Sequence, residues 1–114
     1  MYERVHWDYV RDIAESIQDA QEFVQDYTFE DFRGDRKTVY AVIRAIEVIG
    51  EAAKNIPEPI RSKYPDIPWR DMAGMRDKLI HAYFGVDLEV LWKTIQQDLP
   101  ALKRMISEML AEED

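Results

Sequence analysis

Residues 39–53 read VYAVIRAIEVIGEAA, and this stretch decides the fold class. Its apolar side chains recur at steps of three and four, which is the period of a helix with one buried face. They are Val39, Val42, Ile43, Ile46, Ile49, Gly50 and Ala53. Gly50 and the neighbouring alanines are small, so another helix can approach closely at this point. The stretch predicts a long core helix.

The same helical period continues on both sides of this stretch. An upstream stripe consists of Val10, Ile13, Ile17, Ala20, Val24 and Tyr27. A downstream stripe consists of Leu88, Leu91, Trp92, Ile95, Leu99, Leu102, Ile106 and Met109. Long apolar stripes joined by short connections are typical of helical bundles. We therefore predict an all-α fold, an antiparallel up-down bundle of four or five helices, in a single domain over residues 1–114.

Capping and helix-breaking residues indicate where these helices begin and end. Thr28 followed by Asp31 can cap a short connecting turn, and Gly34-Asp35 then restarts the chain. Pro57 ends the second long helix, and Pro100 is expected to interrupt and kink the last one.

A third main helix is predicted from about Pro68 to His81 or Tyr83, with Gly85 closing it and Asp87 capping the last helix. No stretch alternates with a period of two for long enough to predict a strand.

Composition narrows the class of protein. The chain has no cysteine, which excludes disulfides and cysteine-based metal sites. It has neither a signal-peptide pattern nor an apolar run of about 20 residues, so we expect a cytoplasmic protein without a membrane partner. The net charge is −8, but residues 36–81 carry 9 basic and 6 acidic side chains. This cationic middle permits an anion site on an acidic body.

The residue types with the most specific chemistry are Arg76, Asp77 and His81. If the helix continues through His81, Asp77 lies one turn before it and can orient or charge the imidazole. Arg76 lies five residues before His81, so one regular helix does not bring both onto one phosphate. Either the helix loosens near His81, or two chains each supply part of the site. This geometry favours a dimer.

Such a set can cleave RNA without a metal. The 2′-hydroxyl of RNA is an internal nucleophile, whereas DNA lacks it and should be inert. Histidine titrates near neutrality, so His81 can move protons, and Arg76 can hold the phosphate where negative charge builds. The products would be a 2′,3′-cyclic phosphate and a 5′-hydroxyl. On spacing alone, a surface Arg–Asp pair beside a helix-ending histidine is the simpler interpretation.

Arg76-Asp77, followed by Ile80-His81-Ala82-Tyr83, resembles the Arg-x4-His-x-Tyr motif of the HEPN superfamily. With its flanks, the chain is most similar to the HepT-type toxins of HEPN–MNT toxin–antitoxin pairs. The flanks are residues 46–52, residues 67–70, Val86-Asp87 and Leu91-Trp92, so the resemblance covers nearly the whole chain.

The resemblance implies a homodimeric helical bundle that brings two motifs together across a cleft. It implies that Arg76 and His81 are the ribonuclease residues and that Asp77 occupies the polar position beside the arginine. Tyr83 matches the tyrosine that a nucleotidyltransferase antitoxin modifies with AMP. The added phosphate would place negative charge beside Arg76 and block an RNA phosphate.

Other side chains have simpler interpretations. Glu47 and Glu51 share a helix face, but no Glu-x-x-His pair accompanies them, so we expect neither a metal nor another cofactor. One of the two carboxylates could face the cleft, although pairing with Arg44 or Lys54 is the simpler expectation. Three aromatic residues could stack on bases, but at helical spacing such residues more often pack; they are Trp69, Trp92 and Tyr40.

Two other functions stay open at this point. One is a non-catalytic HEPN module that binds a nucleotide or a substrate for a nucleotidyltransferase partner. The other is a dimeric helical adaptor without a ligand. The presence of both Arg76 and His81 favours the ribonuclease, because a binding module does not need a group that transfers protons.

Overall fold

Two long helices, α1 (His6–Phe23) and α3 (Arg36–Lys54), pack along each other at the centre of the molecule. The computed structural model describes residues 5–81 and 85–113. The two predicted apolar stripes are buried except at Tyr27 and Ile43, which are partly buried. The buried members include Val10, Ile13, Ile17 and Ala20 on α1, and Val39, Val42, Ile46, Ile49 and Ala53 on α3. Fully burying an aliphatic side chain of this size stabilises the fold by about 1.5–3 kcal/mol.

The connection between these helices follows the predicted caps. Thr28 and Asp31 form a reciprocal capping box at the start of α2 (Phe29–Arg33), each side chain bonded to the other's backbone N–H. Asp35 then accepts a hydrogen bond from the Thr38 N–H at 3.1 Å and caps α3. The turn chemistry in the sequence therefore sets where α3 begins.

After α3 the chain forms shorter elements that cover the central pair. They are α4 (Glu58–Arg61), α5 (Trp69–Ala73), α6 (Met75–Leu79), β1 (Ile80–His81), β2 (Gly85–Val86), α7 (Leu88–Lys93), a π-helical turn (Thr94–Asp98) and α8 (Leu99–Leu110). The predicted all-α class is confirmed, and the strands are two residues each.

The last helix runs antiparallel to α1. Arg11 near the start of α1 bonds Glu113 at 2.7 Å, while Gln18 further along α1 bonds Lys103 at 2.8 Å. Pro100 lies in the first turn of α8, directly after the π-helical turn. Helical structure continues through Pro100, since α7, the π-helical turn and α8 follow one another without a gap. The interruption predicted there is therefore limited to a change of hydrogen-bond register just before the proline, which has no N–H to bond an earlier carbonyl.

The predicted third helix is wrong in its extent. It breaks at Gly74 into α5 and α6 and ends at Leu79, two residues before His81. The backbone then forms an antiparallel pair with Ile80 opposite Val86 and His81 opposite Gly85. No strand was predicted here, because two residues are too few to produce a visible alternation. Gly85 has a φ of +84°, which favours glycine at this turn.

Candidate active site

The position of α5 is fixed by burial of its apolar side. Trp69 and Met72 are buried, and the Trp69 indole N–H donates to the Tyr64 carbonyl at 3.1 Å. Ile67, just before the helix, is also buried. These anchors hold α5 against α3, so the residues that follow α5 are held there too.

Gly50 is the point where the two backbones meet. A Cβ atom at this position would lie 3.3 Å from the Met72 carbonyl oxygen and 3.4 Å from that of Ala73. Both neighbours are backbone atoms, which cannot move away as a flexible side chain can. The expectation that a helix approaches closely at Gly50 is confirmed.

This close approach brings Arg76 on α6 against Glu47 on α3. Glu47 lies three residues before Gly50, and Arg76 lies three residues after Ala73. The Arg76 Nε donates to Glu47 Oε2 at 3.0 Å. The Arg76 side chain is 51% exposed and that of Glu47 is 30% exposed. Within the described part of the chain, the Nη atoms of Arg76 make no hydrogen bond.

Arg76 and Glu47 line an open cleft of about 280 Å³ between α3 and the α5–α6 segment. Gly50 and Ala73 also line it, together with three further charged side chains on α3, namely Arg44, Glu51 and Lys54, and Asp77 on α6. Lys54 pairs with Glu51 at 3.9 Å. The cleft therefore contains three cations and three carboxylates, two of each already paired.

The structure brings together two of the predicted site residues. Arg76 and Asp77 both line the cleft and are exposed. His81 lies in β1, where its backbone pairs with Gly85; its side chain is not among those the structure describes. Tyr83 lies outside the described residues. Because α6 ends at Leu79, His81 does not lie one helical turn from Asp77 on the same helix, contrary to the prediction from their spacing.

The partner of Glu47 differs from the one that the sequence predicted. Pairing with Arg44 or Lys54 was the simpler expectation, and for Glu47 it is wrong, because its partner is Arg76. For Glu51 the expected pairing with Lys54 is confirmed. The signal lay in Gly50: a close helix contact there implies that residues one turn away on each helix also meet.

The larger aromatic residues pack, as the simpler interpretation expected. Trp69 is buried, and the Trp92 ring lies 5.3 Å from that of Phe32 and 6.1 Å from that of Phe29. Tyr40 differs, because it is 57% exposed. Among residues 5–81 and 85–113, no group of three or more acidic or histidine side chains could hold a metal ion. No helix in those ranges has the length and apolarity to span a membrane.

Comparison with known proteins agrees with the family resemblance of the sequence. The family model described as "Ribonuclease HepT-like" matches residues 13–109. A protein of Thermococcus cleftensis named "Probable ribonuclease HepT" is 61% identical over 100 residues, which is 88% of this chain and 91% of that protein.

Two further relatives carry names that designate them provisionally as RNases. The one from Methanocaldococcus jannaschii is 46% identical over 102 residues, which is 90% of this chain and 84% of that protein. The one from Caldanaerobacter subterraneus is 42% identical over 105 residues, which is 92% of this chain and 94% of that protein. No solved structure matches. The family match over residues 13–109, with these relatives, means that the chain belongs to the HepT-like ribonuclease family.

Proposed function

We propose that this ribonuclease-family chain is the toxin of a type VII toxin–antitoxin system and cleaves RNA internally without a metal. One observation carries the proposal: the Arg76 guanidinium is held at an open cleft through its Nε, and its Nη atoms are unoccupied by the described residues. Those atoms form the planar edge that binds a phosphate with two parallel hydrogen bonds.

The reaction needs a proton acceptor, a proton donor and a cation. A neutral His81 imidazole accepts the proton of the 2′-hydroxyl, and the oxygen attacks the adjacent phosphorus. The bond from phosphorus to the 5′-oxygen breaks, and a protonated imidazole supplies the proton to that oxygen. Arg76 neutralises the charge that builds on the phosphate. In a homodimer, the two copies of His81 could supply the acceptor and the donor to one cleft.

Control of the toxin would run through Tyr83. A cognate nucleotidyltransferase antitoxin would transfer AMP to the tyrosine hydroxyl and release pyrophosphate from ATP. The attached phosphate would carry negative charge and would compete with the RNA phosphate for the Arg76 guanidinium. The cationic edge of Arg76 supports this mode of control, because the same atoms would attract either phosphate.

The first test is incubation of the purified chain with total RNA in excess EDTA, beside a His81→Ala variant. We expect the wild type alone to cleave and to leave 2′,3′-cyclic phosphate and 5′-hydroxyl ends. A His81→Ala variant that folds normally and keeps full activity would contradict the proton-transfer role. Intact RNA, from a dimer with unmodified Tyr83, would instead favour a nucleotide-binding module that serves a nucleotidyltransferase.

A second test addresses control. The Tyr83→Phe variant keeps the ring but lacks the hydroxyl that would accept AMP. Co-expressed with the cognate antitoxin, it should arrest growth while the wild type does not. Normal silencing of Tyr83→Phe would mean that control uses another group.

A further inference from the structure

The exposed side of α3 carries a row of cationic and aromatic side chains that leads to the Arg76 cleft. Arg36, Tyr40 and Arg44 follow one another at four-residue steps, and Glu47 comes three residues later. At 3.6 residues per turn, these four positions fall within about 80° of arc around the helix axis. Lys37 borders the row. We name Arg36, Lys37, Tyr40 and Arg44 the α3 strip; all four are exposed.

Tyr40 is the aromatic member of the α3 strip and is 57% exposed. The Arg36 guanidinium carbon lies 5.5 Å from its ring centroid. Arg36 also donates to the Tyr40 hydroxyl from Nε at 3.4 Å and from Nη2 at 3.2 Å. These contacts hold the ring in one orientation while more than half of the residue still faces solvent. An oriented, exposed aromatic ring beside cations is suited to stacking on a nucleobase.

The cations of the α3 strip are not explained by the stability of the helix. Arg36 and Lys37 occupy the first turn of α3, which contains no acidic residue. Positive charge is unfavourable there, because the helix dipole is positive at its N-terminus. Arg36 and Arg44 form no ion pair with any described residue. Arg44 and the part of the Arg36 guanidinium that does not bond Tyr40 therefore remain available on one face of an otherwise acidic chain. Lys37 lies beside them, and its charge also acts on the Asp35 carboxylate.

We propose that the α3 strip binds the single-stranded RNA substrate, with one base stacked on Tyr40 and the phosphates beside Arg36 and Arg44. This inference rests on the proposed ribonuclease function and specifies how its substrate is held. Tyr40 lies seven residues before Glu47, or about 10 Å along the helix.

The strip selects single strands over duplexes. In a duplex the bases are paired and stacked on each other, so none can lie on Tyr40 without unstacking. The acidic surface elsewhere repels phosphates and leaves the cationic face as the favoured approach. Base stacking is tolerant of sequence, so the strip supplies affinity and direction rather than a recognition code.

The test measures binding apart from cleavage. All variants are made in a His81→Ala background and titrated in EDTA against a fluorescein-labelled 12-nucleotide single-stranded RNA and the corresponding duplex. Tyr40→Ala should weaken single-strand binding about five- to 100-fold, because one base loses its stacking partner. It should change duplex binding less than twofold. Tyr40→Phe keeps the ring and should bind single strands within about twofold of the background.

The matched control is Phe23→Ala, which removes a 42% exposed aromatic side chain from α1, outside the strip. It should leave both affinities unchanged. An equal affinity of Tyr40→Ala, Tyr40→Phe and the background for single strands would overturn the inference. A changed sedimentation coefficient in Tyr40→Ala, with an unchanged RNA affinity, would also overturn it and would make this face a contact between copies.

The cations are tested by salt dependence. Arg36→Gln and Arg44→Gln should each reduce the slope of log K against log salt concentration by about 0.7, the value for one phosphate contact on a single strand. Arg104→Gln, at an exposed position on α8, is the charge-matched control and should keep the slope.

The two proposals fail in distinguishable ways. If the wild type cleaves no RNA while Tyr40→Ala still loses single-strand binding, the strip stands and the nuclease proposal fails. If the wild type cleaves RNA but the strip variants bind it normally, the nuclease stands and the strip proposal is wrong.

Discussion

The contact between Arg76 and Glu47 joins two residues that are 29 positions apart in sequence. Both side chains are partly exposed to water, at 51% and 30%. Solvent-exposed ion pairs contribute about 0–1 kcal/mol to the free energy of unfolding, because water screens them and the side chains lose freedom. The contact is therefore a weak stabiliser. Its larger effect is on the orientation of Arg76 at the cleft, since it holds the guanidinium through Nε and leaves the Nη atoms without a hydrogen bond to the described residues.

We predict that Glu47→Ala lowers RNA cleavage by about 10- to 100-fold while the free energy of unfolding changes by less than about 1 kcal/mol. The loss follows because Arg76 can then rotate away from the phosphate position. Cleavage rates at saturating RNA and urea unfolding curves measure the two effects. Glu47→Gln keeps an acceptor oxygen for the Arg76 Nε and should recover part of the rate.

Glu51→Ala is the control for this substitution. Glu51 lies one turn further along the same helix and pairs with Lys54 rather than Arg76. Its removal should leave the cleavage rate near that of the wild type. Equal losses from the two variants would mean that the cleft responds to total charge, and the positioning role of Glu47 would be wrong.

At the scale of single residues, Arg76 could be predicted from the sequence, whereas its contact with Glu47 could not. The motif pointed to Arg76 because a phosphate needs a fixed cation. It could not point to Glu47 as the partner, because that contact depends on how two helices pack. The sequence left Glu47 several possible cationic partners on its own helix. The contact with Arg76 depends on the close packing of α3 against α5.

At the scale of elements, Gly50 sets the distance between α3 and α5. We predict that Gly50→Leu destabilises the fold by about 1–3 kcal/mol, because the new side chain must enter a space filled by the Met72 and Ala73 carbonyl groups. Displacement of α5 should also separate Arg76 from Glu47. The cleavage rate should therefore fall by a larger factor than the fraction of folded protein does. Circular dichroism measures the folded fraction in the same samples.

The matched control is Ala41→Leu, at a partly buried position of the same helix that does not line the cleft. Any loss of activity in that variant should follow its loss of folded protein. If Gly50→Leu lost activity only in proportion to its loss of folded protein, the contact between α3 and α5 would affect stability and not the position of Arg76.

The elements themselves were predictable to different degrees. The long helices α1 and α3 followed from their apolar periods. The cap of α3 at Asp35 and that of the short helix α2 at Thr28 followed from side chains that bond nearby N–H groups. The region after Pro68 was harder to predict. The helices α5 and α6 have five residues each, which is little more than one turn. Their apolar pattern in the sequence is therefore the same as that of one longer helix, and the break at Gly74 is not visible.

At the scale of the molecule, stability at acid pH depends in part on hydrogen bonds in the segment that connects α1 to α3. The Asp35 carboxylate accepts hydrogen bonds from the Tyr27 hydroxyl at 2.6 Å and from the Thr38 hydroxyl at 2.7 Å. These bonds and that from the Thr38 N–H lower the pKa of Asp35 from 3.8 to about 2. The unfolded chain therefore binds a proton at a higher pH than the folded chain does.

The sign of the pH effect follows from this lowered pKa. The stabilisation by Asp35 is complete above about pH 4 and is lost as the pH falls toward about 2. We predict that the difference in unfolding free energy between wild type and Asp35→Asn is constant above pH 4 and shrinks between pH 4 and pH 2. Asparagine can still cap the helix, so the comparison isolates the charge. A difference that stays constant down to pH 2 would contradict the prediction.

The π-helical turn Thr94–Asp98 holds one residue more than an α-helical path between the same ends would need. Gln96 and Gln97 within it are exposed. A deletion of one of these glutamines would let the turn become α-helical while α7 and α8 kept their buried sides. A deletion elsewhere between Leu88 and Leu110 would rotate the following side chains by about 100°. Natural length variation in this part of the chain should therefore collect at the π-helical turn.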